Sequence, residues 1–137
     1  METNRRGAEE TEERDLRELT GEVIGAAIEV HRVLGPGFLE QIYQEALIIE
    51  LFRRGIPHEF EKPVTVNYKG SEIGTGRLDF LIANCLIVEL KAVQNLTPIH
   101  EAQVLSYLKM TKYPLALLIN FNVPLLKDGI KRIILSS

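Results

Sequence analysis

The chain contains no tryptophan, a single cysteine, and no apolar run approaching the roughly 20 residues of a membrane span. One cysteine excludes an internal disulfide framework, a four-cysteine zinc site and a cysteine-ligated iron–sulfur cluster within one chain. The N-terminus is charged, unlike a secretion signal, so the expectation is a cytoplasmic protein. A basic excess is missing too. Sixteen Lys and Arg stand against 19 Asp and Glu, for a net charge of −3. The sequence pI is 5.7, whereas a dedicated DNA-binding domain usually has a pI above about 9. Residues 1–18 hold seven acids and four arginines, which leaves the remainder formally neutral. Any contact with nucleic acid must therefore come from local clustering of charge.

What is present suits one domain. The 137 residues are 45% hydrophobic and 26% charged, enough to bury a substantial core. Residues 1–15 lack apolar periodicity and read as a disordered lead-in, so the domain is expected over 16–137. From Leu16 to Leu34 apolar residues recur at helical spacing, with Thr20 a candidate N-cap, and Gly35-Pro36-Gly37 ends the helix. His31 falls in the last turn, where the helix dipole favours a cation. A second helix is expected from Phe38 to Arg54, with an apolar arc of Phe38, Leu39, Ile42, Tyr43, Ala46 and Ile49. Glu40 lies at the border of that arc.

The runs Pro63–Tyr68 and Glu72–Gly76 then read as an antiparallel pair, with the glycines as bulge or twist positions. Gly74-Thr75-Gly76 lacks the spacing of a phosphate-cradling loop. Asn95-Leu96-Thr97-Pro98 introduces a third helix to about Thr111, with Thr97 as N-cap and Pro98 at its first position. On it His100, Gln103 and Tyr107 form one stripe, and Ala102, Leu105 and Leu108 the expected core face. Pro114–Phe121 has the near-continuous apolarity of a strand buried on both sides. Lys131–Leu135 supplies a last edge strand. Two helices, about four strands, a helix and two strands predict an α/β fold, a mixed central β-sheet flanked by α-helices.

The chemistry concentrates in Arg77-Leu78-Asp79-Phe80-Leu81-Ile82-Ala83-Asn84-Cys85-Leu86-Ile87-Val88-Glu89-Leu90-Lys91. Charged side chains in so apolar a hairpin are rarely buried unless paired or bound to a metal. With a three-residue loop centred on Asn84, facing residues sum to 168, which sets Asp79 opposite Glu89 and Arg77 opposite Lys91. Two carboxylates so placed, about 5 Å apart at Cβ, imply a raised pKa or a cation between them. Oxygen ligands of this kind suit Mg2+ or Mn2+. A two-residue loop on Asn84-Cys85 would instead pair Asp79 with Leu90. The competing account of the acids is a surface hairpin with salt bridges to Arg77 and Lys91.

Three motifs together resemble a known family. Gly37-Phe38-Leu39-Glu40-Gln41-Ile42-Tyr43 fits the signature of the GxxExxY proteins. Asp79 followed by Glu89-Leu90-Lys91 resembles the D…(D/E)xK core of the PD-(D/E)xK nuclease superfamily. Gln103-Val104-Leu105-Ser106-Tyr107 is similar to the QhxxY helix motif of its RecB-like branch. The likeness covers roughly residues 19–135, with Leu78 in place of the usual proline before Asp79. It implies a restriction-endonuclease-like core and a Mg2+- or Mn2+-dependent phosphodiesterase acting on nucleic acid, DNA before RNA. By that resemblance Asp79, Glu89 and the Leu90 carbonyl hold the ion, with Glu40 joining directly or through water. Lys91 orients the attacking water, Gln103 and Tyr107 position Lys91 or the substrate, and His31 and His100 are secondary helpers. The alternative is a non-catalytic module that keeps the scaffold and binds nucleic acid or a protein partner. A third is a homodimer built on an apolar surface.

Overall fold

The computed structural model describes residues 5–135, with side chains from Asp15 onward. Helix α1 spans Arg5–Leu34 and α2 spans Glu40–Arg53. Strands β1 (His58–Tyr68), β2 (Ser71–Ile82) and β3 (Leu86–Lys91) follow, then α3 (Pro98–Thr111), β4 (Leu115–Asn120), a 3-10 turn at Leu126–Gly129 and β5 (Ile130–Ile133). The five strands form one sheet in the order β1-β2-β3-β4-β5. Only the β3–β4 pair is parallel, because α3 carries the chain back to the same end of the sheet. This is the mixed α/β sheet flanked by helices that the element order predicts.

Two cores lie on the two faces of the sheet. On one, Val23, Ala26, Ala27 and Val30 of α1 and Tyr43, Leu47 and Leu51 of α2 pack on Phe80, Val88, Leu90, Leu117 and Ile119. On the other, Val104 and Leu108 of α3 pack on Leu78, Leu81, Ile87, Ala116 and Leu118. β4 is buried at all six positions, as its unbroken apolarity predicts.

Several local expectations differ from the structure. The lead-in expected over 1–15 is helical where it is described, from Arg5. Arg and Glu are good helix formers, and the packed remainder of α1 supplies the nucleus from which such a segment extends. Thr20 is not an N-cap. It is buried mid-helix, and its hydroxyl donates to the Leu16 carbonyl at 2.7 Å. Helix α2 starts at Glu40 rather than Phe38, and it buries Tyr43, Leu47 and Leu51 while Phe38, Leu39, Ile42 and Ile49 face solvent. The helix is apolar on nearly every side, so periodicity could not select the face. On α3, Ala102 is exposed, and the buried positions are Val104 and Leu108. The two expected strands over 72–83 are one, β2, with a register shift at Val66/Asn67 absorbing the irregularity of the glycine-containing stretch.

Candidate active site

The β2–β3 loop is the three-residue one. Phe80, Leu81 and Ile82 pair with Val88, Ile87 and Leu86, and Ala83 and Asn84 take left-handed φ values of 48° and 59°. Beyond Phe80 and Val88 the ladder stops, and the next facing residues are Asp79 and Glu89. Their side chains take over from the ladder. The Asp79 N–H donates to Glu89 Oε1 and the Leu90 N–H donates to Asp79 Oδ2, each at 2.9 Å. Because the ladder ends there, Arg77 is not paired with Lys91. It reaches Glu61 of β1 instead, at 3.4 Å, so the simple salt-bridge account of Asp79 loses one of its partners. Glu61 lies between the paired positions Phe60↔Phe80 and Lys62↔Leu78. Its φ of 57° is a left-handed conformation uncommon for a non-glycine residue, and it stands one strand away from Asp79, where β2 parts from β3.

Burial raises the Asp79 carboxyl above its usual value, opposed chiefly by the Leu90 N–H. Glu89 is only 6% exposed. Burial first and the Asp79 charge second push it up to about 8. Burial and mutual repulsion thus both favour a proton held within the pair, as for two adjacent carboxyls that cannot both ionise. Lys91, half-buried at the end of β3, lies close enough for its charge to favour the ionised forms of Asp79, Glu89 and Glu40.

Glu40 arrives from the other layer. It opens α2, and the turn before it is tied down by Tyr43, whose hydroxyl donates to the Gly35 carbonyl at 2.6 Å and accepts from the Phe38 N–H at 3.2 Å. The Tyr43 ring stacks on Phe121 of the core at 4.6 Å. Gly37, at φ 107°, turns the chain in a way that a side chain would strain. Tyr43 and Gly37 thus fix where the first residue of α2 begins. Burial, and then the Asp79 charge, raise the Glu40 carboxyl.

Gln44 completes the link and was not singled out from the sequence. Its amide donates to Glu40 Oε1 at 3.2 Å and lies close enough to Asp79 to favour that group's ionised form. Its spacing was the available signal, one turn after Glu40 on the same face. Asn120 was also missed inside its apolar run. Buried, it accepts from the Val93 N–H at 3.0 Å and donates to the Val93 carbonyl at 2.8 Å, fixing the backbone just past Lys91.

The remaining candidates lie elsewhere. Gln103 is exposed and lines a depression of about 390 Å³ with Ile99, His100, Ala102 and Ser106. Tyr107 packs over Gly76, where an added Cβ would come within 2.9 Å of its ring. That contact is three residues before Asp79 on β2. His100 Nδ1 accepts from the Thr97 N–H at 3.1 Å, a helix-capping role. His31 is buried, with Nε2 2.8 Å from the Val123 carbonyl. Neither imidazole hydrogen-bonds the carboxylates.

The donor set suits a hard divalent ion in part. Asp79 and Glu89 each commit one oxygen to a backbone N–H and keep the second, and the proton they share marks a place where a cation would relieve their repulsion. Among the described residues no three His, Cys, Asp or Glu side chains form a metal-holding group, so Glu40 stands outside the pair's immediate donor set. No helix of the described residues is long and apolar enough to cross a membrane.

A sequence model of the PD-(D/E)XK nuclease superfamily matches residues 17–133. Among solved structures, the crystal structure of SSO0001 is similar at 22% identity and a TM-score of 0.48, covering 68% of this chain and 47% of that one. This chain thus spans about half the length of that protein. No curated protein matches the chain.

Proposed function

The chain belongs to the PD-(D/E)XK nuclease superfamily, and from that premise we propose that it is a divalent-metal-dependent nuclease of the GxxExxY group, hydrolysing phosphodiester bonds of DNA. The observation that carries this reading is the reciprocal Asp79–Glu89 arrangement at the parting of β2 and β3, with Lys91 and Glu40 beside it.

In this reading the free oxygens of Asp79 and Glu89, with the Leu90 carbonyl, would hold Mg2+ or Mn2+. Such an ion supplies charge neutralisation at the phosphate and lowers the pKa of water. Glu40, whose raised pKa brings it nearer to neutrality, takes the proton of the attacking water. Gln44 keeps its carboxylate aimed. Lys91 orients that water and stabilises negative charge as it develops on the phosphoryl oxygens. The water oxygen bonds to phosphorus, the bond to the leaving oxygen breaks, and that oxygen takes up a proton. Tyr107, against β2 at Gly76, and Gln103 on the open face of α3 would guide the nucleic-acid backbone past the site.

The test is cleavage of single- and double-stranded DNA and RNA with Mg2+ or Mn2+, comparing the wild type with Lys91→Ala and Glu40→Gln. DNA cleavage that disappears in both variants and on chelation supports the reading. Cleavage surviving in Lys91→Ala would remove these residues from the chemistry. Metal-independent nucleic-acid binding without cleavage would favour the non-catalytic alternative.

A further inference from the structure

The β1–β2 pair reverses its pleat beside the candidate site. Phe60 and Phe80, which face each other, both pack into the core under α1 and α2. Leu78, and Val64 further along β1, pack into the core under α3. In unbroken strands the alternation of side chains would keep Leu78 on the side of Phe80 and Val64 on the side of Phe60. Both strands therefore turn over between the pairs Phe60↔Phe80 and Lys62↔Leu78, at Glu61 and Asp79, which lie between them. Lys62 shows the same turn. Its ammonium meets Glu59 at 2.9 Å, although residues three apart on a regular strand point to opposite faces.

The reversal decides where Arg77 comes out. With Leu78 turned toward α3, its neighbour Arg77 stands on the other side of the sheet, the side of α2 and Glu40. Regular alternation would have pointed it away from them. The Arg77 side chain is 65% exposed, and one guanidinium nitrogen reaches Glu61 at 3.4 Å, near the limit of a hydrogen bond. A guanidinium carries five donors in a planar fork that matches two oxygens of a phosphate. One long bond to a half-exposed carboxylate is readily exchanged for such a partner, and exposed pairs of this kind contribute little to stability. Glu61 nevertheless keeps a side chain at φ 57°, where glycine would be unstrained. A strained residue retained at the margin of a site points to a function. What the Glu61 carboxylate does is hold Arg77, which lies two residues from Asp79, about 7 Å along β2.

We propose that Arg77 binds a backbone phosphate of the DNA next to the one attacked, and that Glu61 occupies its guanidinium until that phosphate displaces it. The assignment rests on the nuclease reading for its substrate. The experiment is binding of a fluorescein-labelled DNA duplex to the full chain in metal-free buffer, followed by anisotropy across a salt series. Arg77→Gln should raise Kd about tenfold and lower the salt slope of log Kd by about 1. Its urea midpoint and calorimetric Mn2+ affinity should stay those of the wild type. Glu61→Gly removes the competing carboxylate and suits the left-handed backbone, so it should tighten binding about 2–5-fold without loss of stability. An unchanged slope in Arg77→Gln would overturn the proposal. If both variants then also lost stability, the pair would serve only to tie β1 to β2. Weaker binding by Glu61→Gly would overturn the displacement. Cleavage by the wild type with an Arg77→Gln slope equal to its own would end this assignment and leave the nuclease reading standing. Salt-dependent binding through Arg77 without cleavage would do the reverse, and a wild type that leaves the duplex unbound at low salt would overturn both.

Discussion

Asp79 and Glu89 each hold the other's strand: the Asp79 N–H donates to the Glu89 carboxylate, and the N–H following Glu89 donates to the Asp79 carboxylate, both at 2.9 Å. Two acids face each other where a sheet would normally place two more ladder bonds. The pair therefore closes the end of β2–β3 as well as offering oxygens to a cation.

These two roles separate in mutants. Asp79→Ala leaves the Leu90 N–H without its acceptor, at an expected cost of about 1–3 kcal/mol. Asp79→Asn keeps an acceptor oxygen and removes the charge, so its stability at pH 8 should match or exceed the wild type. Both variants should lose calorimetric Mn2+ binding. Equal urea midpoints for the two variants, or Mn2+ affinity intact in Asp79→Asn, would contradict this division.

The pair also predicts how stability follows pH without metal. Glu89 titrates near its usual 4.5 when unfolded and is pushed up to about 8 when folded. Between those values the native state keeps a proton that the unfolded chain has released, so ∂ΔG/∂pH is negative. The contribution is complete below pH 4.5 and is lost as pH rises through about 8. Raised pKa values at Asp79 and Glu40 act in the same direction. Unfolding free energy should thus fall between pH 5 and 8 by an amount on the order of a few kcal/mol. Glu89→Gln should flatten the slope, and millimolar Mn2+ should restore stability at pH 8. A flat profile in the wild type would contradict the proton-sharing pair.

Gln44 holds Glu40 by a hydrogen bond and stands beside Asp79, where α2 meets the sheet. Gln44→Ala should lower turnover by about 10–100-fold, the usual cost of losing a group that orients an active carboxylate, with KM little changed. The check is steady-state cleavage across pH, since a freed Glu40 should also shift the acidic limb of the rate profile. A variant with wild-type turnover and profile would make the Gln44 bond incidental.

Much of this site was legible in the chain because its geometry is local. A hairpin with a three-residue loop fixes which residues face each other, so Asp79 and Glu89 could be paired by counting from Asn84. The meeting of Glu40 with that hairpin depends on how α2 is rotated against the sheet. With apolar residues on both sides of α2, periodicity gave an arc that mixed the buried Tyr43 with the exposed Phe38, Leu39, Ile42 and Ile49. Gln44 and Asn120 were harder to find for a related reason. The i, i+4 spacing of Gln44 from Glu40 is readable within α2, but its approach to Asp79 and the pairing of Asn120 with the Val93 backbone are set by packing between elements.

Tyr107 and Gly76 offer a test of the second helix layer. A Cβ on residue 76 would lie 2.9 Å from Tyr107 Cε1. Gly76→Ala should therefore displace the ring and destabilise by about 1–3 kcal/mol, as overpacking does. Tyr107→Ala should make room, so the double variant should be more stable than the two single costs added together. Cleavage should fall in both single variants if the ring guides substrate. Additive stabilities in the cycle would mean that the two residues do not meet.

Tyr43 gives the sharpest separation of scaffold from chemistry. Its hydroxyl bridges the Gly35 carbonyl and the Phe38 N–H, while its ring stacks on Phe121. Tyr43→Phe keeps the buried ring and the stack but leaves both backbone groups of the α1–α2 turn without that partner. The expected cost is about 1–3 kcal/mol in urea unfolding. Because this turn fixes the first residue of α2, activity should fall further than stability alone explains, at temperatures where the variant is fully folded. Mn2+ affinity should hold, since Asp79 and Glu89 belong to the hairpin. Loss of metal binding in Tyr43→Phe would mean that the turn supports the carboxylate pair itself, and Glu40 would then belong among its ligands.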